Sequence, residues 1–309
     1  MISQKENSMP EKKHIINPMI DCVFKAILGT EKNKNLIIHF LNAVLELCGP
    51  ERITDITLLN PYNERNFITD KLSVVDVKAR QANDEHIQIE VQLNAHPALS
   101  ERMLFTWAAI YRSQIQKGQN YSDLNPVISI WLVGDTLFKH ENDYHFSFSV
   151  FDTVHQLPLT DHLKIHILQT PAYALNENQI TDKDRWMYFF KSKGHLDIEN
   201  PPDFLNTREM RQAMSVLTEF SENETNYLLY QSRLDAQFEI DTWKSAIERE
   251  RQEKEKERQE KDLALLKAAK EHHEKEKERQ EKEKERQEKN RLLKLLKQAG
   301  IDPDQELLS

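Results

Sequence analysis

Asp70-Lys71-Leu72-Ser73-Val74-Val75-Asp76-Val77-Lys78-Ala79-Arg80, then after a polar break Glu85-His86-Ile87-Gln88-Ile89-Glu90-Val91-Gln92, is the stretch that decides the fold. Both halves are rich in β-branched residues, and the second alternates, with Ile87, Ile89 and Val91 on one face and Gln88, Glu90 and Gln92 on the other. Such alternation around Ala82-Asn83-Asp84 predicts two antiparallel strands closed by a three-residue loop, with Asn or Asp as its left-handed residue. In that register 81 pairs with 85, and counting back sets Asp76 opposite Glu90. Directly opposed Cβ atoms lie about 4.5–5.5 Å apart. Two carboxylates at that separation repel unless a proton or a cation lies between them, and hard divalent cations take oxygen cages of this kind. The pattern alone admits two readings, an acidic solvated hairpin or a metal site.

Asp76, thirteen intervening residues, then Glu90-Val91-Gln92 resembles the D…E-x-K signature of the PD-(D/E)XK nuclease superfamily in an E-x-Q form. More narrowly, the chain resembles the recombination-promoting nuclease and putative transposase branch. That likeness includes Pro18-Met19-Ile20-Asp21-Cys22-Val23-Phe24-Lys25-Ala26-Ile27-Leu28-Gly29 and the block from Gly118 to Ile130, and it spans roughly residues 14–235. The resemblance implies an α/β, restriction-endonuclease-like core of order α-β-β-β-α-β, with a mixed sheet flanked by helices. It also implies phosphodiester hydrolysis of DNA with Mg²⁺ or Mn²⁺. Asp76, Glu90 and the Val91 carbonyl would be the metal ligands. At the position of Gln92 the family commonly has a lysine that orients or deprotonates water. Glutamine hydrogen-bonds but carries no charge, and Lys78, on the strand face of Asp76, is a candidate to replace that charge. Asp21 and Lys25, one helical turn apart, either flank the cleft or form a local ion pair. Arg102, Tyr111 and Gln114 on the following helix are candidates to face DNA, or else ordinary surface and core positions. Asp70 and Lys71 rank lower.

Helical spacing of Phe24, Ile27 and Leu28 after an Asn17-Pro18 start, and of Leu36 to Leu45 before Gly49-Pro50, predicts two helices ahead of the strands. Ile53 to Leu59 reads as a strand and Ala98 to Lys117 as a long helix. Val127 to Val133 is nearly all apolar, as in a strand buried on both faces. Tyr144 to Val150 and Leu163 to Leu168 read as further strands, followed by a helix capped at Thr181-Asp182. The expected organisation is a disordered stretch 1–13, a nuclease-like core 14–195, a helical extension 196–245 and a charged helical tail 246–309.

Pro202 to Gly300 contains no internal Gly or Pro, which permits continuous helix. Within it Glu253-Lys254-Glu255-Lys256-Glu257-Arg258-Gln259 recurs at 274–280 and 281–287. This heptad has no apolar seam. Pairs such as Glu253 with Lys256 and Glu257 with Lys261 instead suggest a charge-zippered spacer helix, with pairing to another helix as the alternative.

The net charge is −9, and residues 241–309 hold 19 acidic and 19 basic side chains, so residues 1–240 carry all of it. An acidic body opposes strong nonspecific binding to phosphate backbones, although a local basic cleft is compatible with it. Cys22 and Cys48 lack metal-site or disulfide spacing, no run approaches the roughly eighteen apolar residues of a membrane span, and the N-terminus lacks a signal-peptide core. A soluble, cytoplasmic protein with no membrane partner is expected. DNA is the expected partner, and a second copy or a protein partner, through the core or the C-terminal helix, remains open. Three functions compete: a metal-dependent DNA endonuclease linked to recombination, mobile DNA or defence; a catalytically impaired DNA-binding or regulatory relative; and an assembly protein built around the tail.

Overall fold

A computed structural model describes residues 14–59, 76–95 and 97–298. Expectations for residues 1–13, for Asp70 and Lys71, and for the tail beyond 298 lie outside them. The chain divides into two units, one through Ala236 and one from Gln237.

In the first unit, helices α1 (Asp21–Leu28) and α2 (Lys34–Val44) precede strands β1 (Ile56–Leu59), β2 (Val77–Gln81) and β3 (His86–Gln92). Then come α3 (Leu99–Ser113), β4 (Val127–Val133), β5 (His145–Phe151) and β6 (Pro158–Gln169), followed by α4 (Asp182–Lys191) and α5 (Arg208–Glu222). The six strands form one mixed sheet, ordered β1-β2-β3-β4-β6-β5. Only β3-β4 and β4-β6 are parallel. The α-β-β-β-α-β order is therefore present, within an α/β fold.

The hairpin register is the one the loop length implies. Val77 pairs with Ile89 and Arg80 with His86, and Asp84 supplies the left-handed residue at φ 64°. Strand β4 is buried along its whole length, since both its faces are covered. Ile128, Ile130 and Leu132 join the larger core with Val23, Phe24, Phe40, Trp186 and Phe190 from α1, α2 and α4. Trp131 and Val133 pack under Leu99 and Met103 of α3 on the other face.

Several boundaries differ from expectation, among them α3, which ends at Ser113 and not Lys117, and β1, which begins at Ile56 and not Ile53. Residues 17–20 form a turn, with Asn17 Oδ1 accepting from Met19 N at 2.9 Å, so α1 begins at Asp21. Strand β6 runs for 12 residues because it pairs with the edge strand β5. The permissive stretch after Pro202 is also not one helix. Thr207 caps α5, and an extended Asn223 ends it while accepting from Asn226 N at 3.0 Å, opening α6 (Glu224–Gln298). Two side-chain caps outweigh helix propensity there.

In the second unit, α6 carries exposed i,i+4 pairs, Glu250–Lys254 and Glu257–Lys261 at 2.6 Å and Glu278–Lys282 at 3.1 Å. Each is a weak, solvent-screened pair, and salt weakens it further. An isolated peptide from Glu248 to Lys289 should be monomeric and partly helical, losing helicity as salt is raised. A sedimentation dimer, or helicity that climbs with peptide concentration, would contradict this.

A histidine pair, His166 buried and His145 half-buried, ties β5 to β6. Lys183 Nζ lies 3.2 Å from His145 Nδ1, and His145 Nε2 lies 3.1 Å from His166 Nδ1. With Lys183 charged, Nδ1 of His145 accepts and Nε2 donates onward, so both rings are neutral. Burial pushes both pKa values down to about 4. A histidine depressed in the fold stabilises it above the unfolded pKa of about 6.5, and that stability is lost as pH falls toward the folded value. The urea midpoint should thus drop between about pH 7 and about pH 5, and drop less in His145→Gln.

Candidate metal centre

Asp76 stands one residue before β2, so continuing the ladder from Val77–Ile89 sets it opposite Glu90. Both side chains are buried, Asp76 at 9% exposure and Glu90 at 2%. Asp76 Oδ2 accepts from the Val91 N–H at 2.8 Å. The N–H and C=O of one strand residue point the same way, so the Val91 carbonyl also faces the Asp76 side.

Helix α1 brings the first cation. Its apolar face (Val23, Phe24, Ile27 and Leu28) is fully buried, which turns Lys25 toward the sheet. A Cβ at Gly29 would lie 3.3 Å from Val77 Cγ2 and 2.9 Å from the Lys25 carbonyl, so the helix end packs tightly beside β2. Lys25 Nζ reaches Asp76 Oδ1 at 3.2 Å. Asp21 pairs instead with Arg233 of α6 at 3.6 Å. The second cation comes from the first turn of α3. Arg102 Nη2 lies 3.6 Å from Glu90 Oε2, and its Nη1 donates to Gln92 Oε1 at 3.0 Å. Gln92 Nε2 in turn donates to the Asn94 carbonyl at 3.0 Å. Gly134 permits this corner, because a Cβ there would meet the Leu93 carbonyl at 2.5 Å.

Burial raises the Asp76 pKa, opposed by the Val91 N–H and Lys25. Burial, and then the field of Asp76, pushes Glu90 up to about 8, with Arg102, Lys25 and Lys78 pulling the other way. Among the described residues Glu90 Oε1 is buried with no hydrogen-bond partner. An orphaned carboxylate oxygen beside a second buried carboxylate and a backbone carbonyl fits a hard divalent cation. Among the described residues no group of three or more His, Cys, Asp or Glu side chains is placed to hold a metal ion, so a cation here would rest on the two carboxylates and the backbone oxygen.

Asp76, Glu90, Val91, Gln92, Lys25 and Arg102 thus converge, and the charges of Asp21 and Lys78 act on the same carboxylates. Tyr111 and Gln114 do not join them. Tyr111 stacks on Trp107 and bonds His162 Nδ1 at 2.9 Å. Gln114 holds both backbone groups of Asn125, at 2.8 and 3.0 Å. Both lie about 13 Å or more along α3 from Arg102. Sequence reasoning missed the trio beneath Arg102, in which Gln88 Nε2 and Trp131 Nε1 both donate to Ser129 Oγ. Alternation on β3 and β4 placed these residues on one face, but nothing in the pattern marked them as bonded.

Among the described residues no helix is long and apolar enough to cross a membrane. No curated protein and no solved structure matches the chain. A model of the PD-(D/E)XK nuclease family transposases matches residues 18–245, in keeping with the hairpin carboxylates and the mixed sheet, and the chain belongs to that family.

Proposed function

We propose that the chain is a divalent-metal-dependent DNA endonuclease acting in recombination, mobile DNA or defence. The observation that carries this reading is Glu90, buried opposite Asp76 with one oxygen unpartnered among the described residues. Family membership supports a nuclease- or transposase-like role. Asp76, Glu90 and the Val91 carbonyl would hold Mg²⁺ or Mn²⁺. When bound, the cation supplies positive charge to the phosphodiester and a more acidic water. Lys25 supplies the fixed positive charge that Gln92 lacks, next to Asp76. The buried sheet end keeps both carboxylates out of bulk water, which strengthens their hold on a cation.

A second reading has its own observation: Lys25 and Arg102 already lie against the two carboxylates, as in a fold that keeps the site without the chemistry. Supercoiled plasmid incubated with the purified chain and Mg²⁺ or Mn²⁺ separates the two. Nicked or linear product supports the endonuclease. DNA binding without cleavage under either metal supports the impaired relative.

A further inference from the structure

We infer that Arg102 is the internal counter-ion of Glu90, displaced when a divalent cation binds and thereby freed to engage a DNA phosphate. This rests on the metal-centre reading above. Among the described residues the Arg102 guanidinium meets Glu90 Oε2 at 3.6 Å, Gln92 Oε1 at 3.0 Å and the Trp131 ring at 5.5 Å from its centroid. The first is too long for a hydrogen bond, so the carboxylate attracts the guanidinium without locking it. Arg102 is 43% exposed while Glu90 is 2% exposed, so the cation can leave into water and the carboxylate cannot follow it.

The platform beneath is rigid. Trp131 is fully buried and its indole N–H is fixed on Ser129 Oγ at 2.8 Å. Gln92 completes the cradle. Its amide oxygen accepts from Arg102 while its nitrogen is held on Asn94. A lysine at this position has no acceptor and would repel the guanidinium. The departure from E-x-K to E-x-Q and the seat of Arg102 are therefore one feature. With Glu90 ionised, as the binding of a cation requires, Asp76 and Glu90 facing Lys25 and Arg102 make a neutral centre, which disfavours a doubly charged ion. Removal of Arg102 restores the negative charge such an ion needs. A released guanidinium presents a planar fork suited to phosphate oxygens.

Calorimetric Mn²⁺ titration of the full chain, Arg102→Gln and Arg102→Lys tests this. Arg102→Gln should bind Mn²⁺ at least about threefold more tightly, yet cleave DNA more slowly. Arg102→Lys, which keeps the charge, should stay near the parent affinity. Mn²⁺ should also change the tryptophan fluorescence of the parent as the cation leaves Trp131, and not that of Arg102→Gln or Trp131→Phe. Unchanged or weaker Mn²⁺ binding by Arg102→Gln overturns the counter-ion role and leaves the metal centre standing, as does parent binding without a fluorescence change. Mn²⁺ bound by none of the three proteins overturns the metal centre itself.

Discussion

Asp76→Ala or Glu90→Ala should lower metal-dependent DNA cleavage by about a thousandfold or more, because each removes half of the carboxylate pair on which the cation depends. The same change should not cost the fold in proportion. Glu90 sits at 2% exposure with an oxygen unpartnered among the described residues, so its ionised form is a burden in the metal-free protein. Its pKa rises on folding from 4.5 to about 8. An acid raised in this way weakens the fold progressively as pH climbs through that window, since the unfolded chain ionises first. Glu90→Gln keeps the shape and removes the charge. It should abolish cleavage while raising the melting temperature at about pH 8 by a few degrees in the absence of metal, a trade of stability for a functional charge. Thermal melts of the two proteins beside a plasmid assay read both effects. A Glu90→Gln protein that cuts DNA at the parental rate would place the chemistry elsewhere.

Lys25→Met should cost about a hundredfold in cleavage, and Lys78→Met less than about tenfold. The two lysines compete for the role that Gln92 leaves open, and the geometry ranks them. Lys25 contacts Asp76 at 3.2 Å and its field on Glu90 ranks ahead of that of Lys78. Removing Lys25 also strands a buried carboxylate without its cation, so that variant should melt earlier than the parent. Parallel kinetics on the two variants decide the matter. A larger loss in Lys78→Met would return the missing charge to β2.

Much of this was legible before any coordinates. The three-residue break at 82–84 dictates a pairing in which residue numbers across the hairpin have a constant sum, and the ladder from Val77–Ile89 to Arg80–His86 obeys it. A side-chain period of two then leaves only one face for Asp76, Lys78, Glu90 and Gln92. Local rules of this kind act within a few residues, so a single sequence is enough to apply them. The apolar run Val127–Val133 announced a strand covered on both sides for the same reason.

What lay beyond the sequence is the set of contacts made by helices docking on that sheet. Asp21 and Lys25 look like an i,i+4 pair, yet α1 is rotated by its buried face so that Lys25 meets Asp76 and Asp21 meets Arg233. Arg102, Tyr111 and Gln114 share one helix, but only the first turn of α3 reaches Glu90 and Gln92, while its far end is tied to His162 and Asn125. The missing lysine at position 92 was visible as a departure. That Gln92 serves as the acceptor for Arg102 was not, because the choice of partner is made by packing. Strand pattern and turn length determined where the carboxylates stand. Which cations face them was decided by the burial of α1 and α3, whose apolar faces fix the rotation of each helix and hence the reach of its charged side chains.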